Sequence, residues 1–161
     1  MAQILYPDVT QTHDSPQMTL GDIVRTVDSE GMKEYQYVLW NDGDGLTAAA
    51  GLVAYYLVGA NALLSTITTD VSASDVNHVA GVMLSVPTDG QYCFIQKRGY
   101  YATVKTNADD DISAGDALIG VGDGTCDSVA QDTAPTNKVL GWATADDVDA
   151  ADTVAARLEC L

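Results

Sequence analysis

Tyr92-Cys93-Phe94-Ile95-Gln96-Lys97-Arg98-Gly99-Tyr100-Tyr101-Ala102-Thr103-Val104-Lys105 is the most strand-prone stretch of the chain. Aromatic and β-branched residues lie on both sides of a Lys-Arg-Gly triplet. Such residues fit a pleated, half-buried surface, and a short Gly-containing link between two of these runs is a hairpin signal. The stretch therefore predicts a strand over 92–96, a tight connection at 97–99 and a returning strand over 100–105.

Working outward, the same grammar recurs. Upstream, Gly81-Val82-Met83-Leu84-Ser85-Val86 reads as a strand that stops at Pro87, and Thr88-Asp89-Gly90 as a turn. The segment 72–79 fits either one helical turn or a loop. A third strand is expected over 51–58, opened by an Ala50-Gly51 turn. Ile23-Val24-Arg25-Thr26-Val27 and Tyr35-Gln36-Tyr37-Val38-Leu39-Trp40 read as strands around the turn Asp28-Ser29-Glu30-Gly31. Downstream, Ile112 to Ile119 resumes strand character, and its Ala114-Gly115 echoes Ala50-Gly51. Gly122-Asp123-Gly124 turns the chain, and Lys138-Val139-Leu140-Gly141-Trp142-Ala143 is a late strand. The C-terminus fits a helix or a strand, and the short connections elsewhere favour a closing strand. Many short strands between Gly/Asp turns predict a mostly β protein, a single-domain β-sandwich or β-barrel over 21–161.

Residues 1–20 differ from this body. They hold Pro7, Pro16 and the polar run Thr10-Gln11-Thr12-His13-Asp14-Ser15, with one apolar cluster at Ile4, Leu5 and Tyr6. This composition predicts an extended N-terminal arm. Its cluster is too small to fold alone, so Ile4, Leu5 and Tyr6 are the candidate partner-binding residues.

The charge excludes some functions. Asp and Glu number 23 against 7 Lys and Arg, for a net charge of -16. Nucleic-acid affinity comes mainly from cations that neutralise phosphates, so nucleic acid is not an expected partner. A halophilic source is another origin of such a charge. The uncharged stretch 46–64 is interrupted by Gly51, Gly59 and Asn61, and lacks flanking Lys or Arg. It reads as buried strand rather than membrane span, and no membrane partner is expected. No secretory signal opens the chain, and Cys93, Cys126 and Cys160 form no CxxC pair, so buried free thiols are expected.

The search for chemistry yields no catalytic, cofactor-binding or metal-ligating set. His13 and His78 lack the nearby Cys or His of a zinc site. Asn41-Asp42-Gly43-Asp44-Gly45 has its glycine too early for a calcium loop and no closing Glu. Asp109-Asp110-Asp111 reads as a solvated acidic loop. Gly120-Val121-Gly122-Asp123-Gly124 lacks the Lys-Ser/Thr of a phosphate loop. The expectation is a non-enzyme.

Two blocks, taken in order, carry a resemblance. The first runs from Leu20-Gly21-Asp22 through Gly31, Tyr35-Gln36-Tyr37-Val38 and Ala50-Gly51-Leu52-Val53. The second runs from Gly81-Val82-Met83 through Gly90, Tyr92, Gln96, Gly99-Tyr100, Ala114-Gly115-Asp116-Ala117-Leu118 and Val139-Leu140-Gly141-Trp142-Ala143. Their order and spacing resemble the small capsid decoration (cement) proteins of tailed double-stranded DNA phages. That resemblance implies a structural virion protein, made in the host cytoplasm, that binds the outer face of the major capsid protein shell. It also implies a homo-oligomer, a trimer above all. The alternative is a β-sandwich binding module for carbohydrate or a host surface, with a platform drawn from Tyr35, Tyr37, Trp40, Tyr55, Tyr56, Tyr100, Tyr101 and Trp142.

With no complete oxygen or nitrogen cage in the sequence, a chelator is expected to leave the melting temperature unchanged. A drop of several degrees in a thermal scan would reveal a structural cation that stabilises the folded state.

Overall fold

A computed structural model describes residues 7–43, 45–57, 65–70, 76–107, 112–129, 139–147 and 152–160. The chain is all-β, and no helix occurs among the described residues. Among the described residues ten strands follow one another: β1 (Ile23–Asp28), β2 (Gly31–Trp40), β3 (Val53–Leu57), β4 (Thr66–Thr68), β5 (Val76–Met83), β6 (Tyr92–Lys105), β7 (Ala117–Val121), β8 (Thr125–Ser128), β9 (Val139–Ala143) and β10 (Thr153–Glu159).

The expected hairpin at 92–105 is instead one strand of 14 residues. Its Gly99 has a left-handed φ of 95°, but the residue sits at an irregularity in the pairing rather than at a turn. A Cβ there would lie 2.5 Å from the Met32 carbonyl oxygen, so the glycine serves close backbone approach. The segment expected as helical turn or loop before residue 80 enters β5 at Val76, and β5 ends at Met83, short of Pro87. The short strands β4 and β8 are not among the strands expected from the sequence.

The pairing closes the strands into two rings. Ring one runs β2-β4-β3-β5-β6 and back to β2, with β2–β4 parallel and the other pairs antiparallel. Ring two runs β6-β10-β9-β7-β8 and returns to the end of β6 through a parallel bridge between Thr106 and Cys126. The two rings have the same topology. β2, β3, β4, β5 and the first half of β6 in ring one correspond to the second half of β6, β7, β8, β9 and β10 in ring two. Hydrogen bonds repeat with the topology. Gly51 N donates to Met83 O and Met83 N to Leu52 O; Gly115 N donates to Ala143 O and Ala143 N to Asp116 O, all at 2.9 Å. The repeated Ala-Gly turns of the sequence thus hold equivalent corners.

Three clusters form the core. Alternate residues of ring one fill its interior: Val38, Trp40, Ala54, Tyr56, Ile67, Ala80, Met83, Cys93 and Ile95. The opposite faces of β3 and β5 supply Val53, Tyr55, Val79 and Val82 to a second cluster with Leu118, Leu140, Ala156 and Leu158 of ring two. The outer face of β2 and β6 carries Tyr35, Tyr37 and Phe94, covered by Val9, Met18 and Leu20. Residues 7–20 of the expected arm therefore lie on the protein's own sheet. His13 pairs backbone to backbone with Tyr92, and Gln17 N donates to Tyr37 Oη. No helix among the described residues is long and apolar enough to cross a membrane.

Gly99→Ala is expected to cost about 2 to 4 kcal/mol, since it combines backbone strain with a steric clash. Gly115, whose φ is 98° but which has open space around it, should cost roughly 1 kcal/mol on the same change. Denaturant melts of the two variants check the difference.

Candidate functional site: one face of the shared sheet

The face is built from strand alternation. On β1, Val24 turns into the core, so Ile23, Arg25 and Val27 point the other way and are exposed. On β2, Tyr35 and Tyr37 are buried in that same core, which leaves Met32 and Glu34 on the opposite side. Asp28-Ser29-Glu30-Gly31 makes the link, with Glu30 N donating to Asp28 Oδ1 at 2.8 Å and Gly31 at φ 107°.

Register then carries this face across the sheet. Arg25 pairs with Glu34, Glu34 with Arg98, and Arg98 with Glu159. Directly paired residues share a face, so these four form one row across β1, β2, β6 and β10. Arg25 Nε donates to Glu34 Oε2 at 2.8 Å; the arginine side chain is 64% exposed and the glutamate 11%. On the next rung, Val27 pairs with Met32, while Tyr100 pairs with Arg157, Arg157 with Trp142, and Trp142 with Ala117.

The face concentrates two kinds of residue. Val27 (80% exposed), Met32 (51%), Trp142 (42%) and Ile23 (40%) are four of the five large apolar side chains exposed among the described residues. The fifth, Val86, lies in the loop before Pro87. The chain's three arginines, Arg25, Arg98 and Arg157, are all here as well. In a chain of net charge -16, these arginines offset part of the negative charge on this face.

Beside the row, polar groups are already engaged with one another. Tyr56 Oη donates to Gln36 Oε1, and Lys97 Nζ lies 5.6 Å from the Tyr56 ring centroid. This arrangement ties the end of ring one together and presents no poised nucleophile. Nor do the candidate residues of the sequence converge elsewhere. His13 rests on Tyr37 with ring centroids 5.9 Å apart, and His78 is exposed on β5. Asn41 Oδ1 accepts from Gly43 N, a local turn contact, and 122–124 link β7 to β8. Asp146 Oδ1 accepts from Ala114 N, and Asp147 Oδ2 from Thr106 Oγ1. No three His, Cys, Asp or Glu gather for a metal among the described residues. Ile4, Leu5, Tyr6 and Asp109-Asp110-Asp111 lie outside the described residues. Of the eight rings considered for a platform, Tyr35, Tyr37, Trp40, Tyr55 and Tyr56 are buried, leaving Trp142 and the half-buried Tyr100 and Tyr101. Sequence reading missed Arg25, Val27, Met32 and Arg98 as neighbours, because their proximity follows from β2 and β10 flanking one unbroken β6.

In comparison with known proteins, no family model matches this chain, and no curated protein matches it.

The thiols give a separate test of burial. Desolvation pushes Cys93 and Cys160 up to about 12, and Cys126 likewise, helped by Asp127 and Asp147. Unfolded thiols ionise near 9, so between about pH 9 and 12 the unfolded state holds fewer protons and stability falls as pH rises. The slope approaches roughly 1.4 kcal/mol per pH unit for each thiol. A disulfide reagent at pH 8 should therefore label none of the three until denaturant is added.

Proposed function

We propose that this chain is a non-enzymatic structural protein of a virion, one that decorates and cements a phage capsid by binding the outer face of the major capsid protein shell. The observation that carries the reading is the face just described, where exposed Val27, Met32 and Trp142 stand among three arginines. Protein contacts are enriched in Met, Arg and aromatic residues, and their strongest positions are Trp, Tyr and Arg. A monomeric soluble protein has little reason to keep four large apolar groups on one sheet face in water.

Other features support the same role. The interior of ring one is filled by Trp40, Tyr56, Ile67, Met83 and Ile95, which suits a part whose task is to stay folded. The strong negative charge suits an outer surface held away from the genome. The order of turn and strand motifs resembles the decoration proteins, and two of those motifs, Ala50-Gly51 and Ala114-Gly115, make equivalent corners of the two rings. The buried state of Tyr35, Tyr37, Trp40, Tyr55 and Tyr56 leaves few rings for a carbohydrate platform.

Met32→Glu and Trp142→Ala should each weaken binding to undecorated shells at least tenfold, about 1.4 kcal/mol. Co-sedimentation with shells measures this, and unchanged circular dichroism melts show that the fold is kept. Binding at the wild-type level by both variants would overturn the role given to this face.

A further inference from the structure

The order of charges on this face points to its occupant. We propose that the face is the contact between two copies of the chain, related by a two-fold axis that runs along the strands between β2 and β6. The inference rests on reading the face as a protein contact: it assigns β1, β2, β6 and β10 to a second copy, a pair in place of the trimer that the resemblance implies, and leaves Trp142 on β9 beside them for the shell.

Across the strands the row reads Arg25, Glu34, Arg98, Glu159. A two-fold rotation about that axis lays β1 of one copy over β10 of the other, and β2 over β6. Arg25 then meets Glu159, Glu34 meets Arg98, and both contacts recur in reverse. An isologous interface has to be complementary to itself, and a row of alternating sign meets that condition when the axis bisects it. On the next rung the same rotation sets Met32 against Tyr100, a sulfur–aromatic contact, and Val27 against the aliphatic stem of Arg157.

Other partners fit less well. A uniformly acidic surface would suit the three arginines and be repelled by Glu159, whereas a basic surface would meet the reverse. A second copy is itself strongly acidic, at -16, so two copies repel wherever carboxylates face each other. The face that holds every arginine offsets this repulsion. Glu34 is already held by Arg25 and is only 11% exposed. The Arg25–Glu159 contact, between two exposed side chains, therefore carries the test.

Wild-type protein should sediment as a dimer over a concentration series. Arg25→Glu and Glu159→Arg, each alone, should raise the dissociation constant at least about tenfold, as reversing a close charge pair does. An equimolar mixture of the two variants should recover the wild-type dimer, because the introduced carboxylate of one copy meets the introduced guanidinium of the other. That recovery cannot arise from misfolding, and circular dichroism melts check each variant separately. A monomeric or trimeric wild type, or a mixture no tighter than its parts, would overturn the pairing. Among the shell-binding variants, Trp142→Ala lies outside the four paired strands and so tests the underlying reading independently of the pairing, which Met32→Glu also disturbs. If those variants lose shells while the wild type is a monomer, the face contacts the shell and the two-fold pairing alone is wrong.

Discussion

Strand β6 has to belong to two closed rings at once. Its first half, from Tyr92, pairs with β2 on one edge and β5 on the other and closes ring one. Its second half pairs with β10 and meets β8 beyond Thr106, which closes ring two. The change of partners is concentrated at Lys97, Arg98 and Gly99. There the register to β2 shifts by one residue, and Lys97 turns toward the Tyr56 ring. A bulge adds twist, which lets one strand leave the first ring and enter the second. Any side chain at Gly99 would collide with the Met32 carbonyl, so the junction depends on the residue that has none.

The doubled ring explains where this protein keeps its chemistry. A ring of five strands is narrower than the barrels of about eight whose interiors are just filled by side chains, and side chains fill it here. Apolar side chains occupy ring one, and Val104, Leu118, Leu140, Val154 and Leu158 are buried in ring two, with Tyr55 pressing in against Gly120. Gly81 and Gly141 sit at equivalent places, and at each an added Cβ would strike a neighbouring carbonyl, of Gln96 or Arg157. Close packing of this kind resists change and leaves only the outer faces free to interact.

Those faces are not equal. One face of β2 and β6 is covered by residues 9–20, and the faces of β3 and β5 that point away from the interior of ring one are taken up between the rings. The face that runs from β1 through β6 to β9 has no such cover among the described residues. Edge strand β1 carries Arg25 at its centre, a charge that discourages indiscriminate strand addition while leaving Ile23 and Val27 available. Exposed apolar residues arranged among alternating charges suit a contact that selects its register.

Much of the local structure was legible in the sequence. Alternation in 23–27 and 35–40, the Ala-Gly turns, the Gly122-Asp123-Gly124 link and the strand character near the C-terminus follow from residue preferences that act over a few positions. The acidic balance and the burial of the aromatic residues belong to the same class, since both depend on composition more than on arrangement. What tertiary structure decided is different in kind. Lys97-Arg98-Gly99 offers the same local signal to a turn and to a bulge, and only β2 and β10, arriving from 60 residues away on either side, stabilise the bulge. The short strands β4 and β8 are placed by the closing of the rings through them, and at three and four residues each is too short to stand out in the sequence. The face of Arg25, Glu34, Arg98 and Glu159 is likewise a product of register between distant strands. No window of sequence holds these four together, because hydrogen bonding between strands, and not spacing along the chain, makes them neighbours.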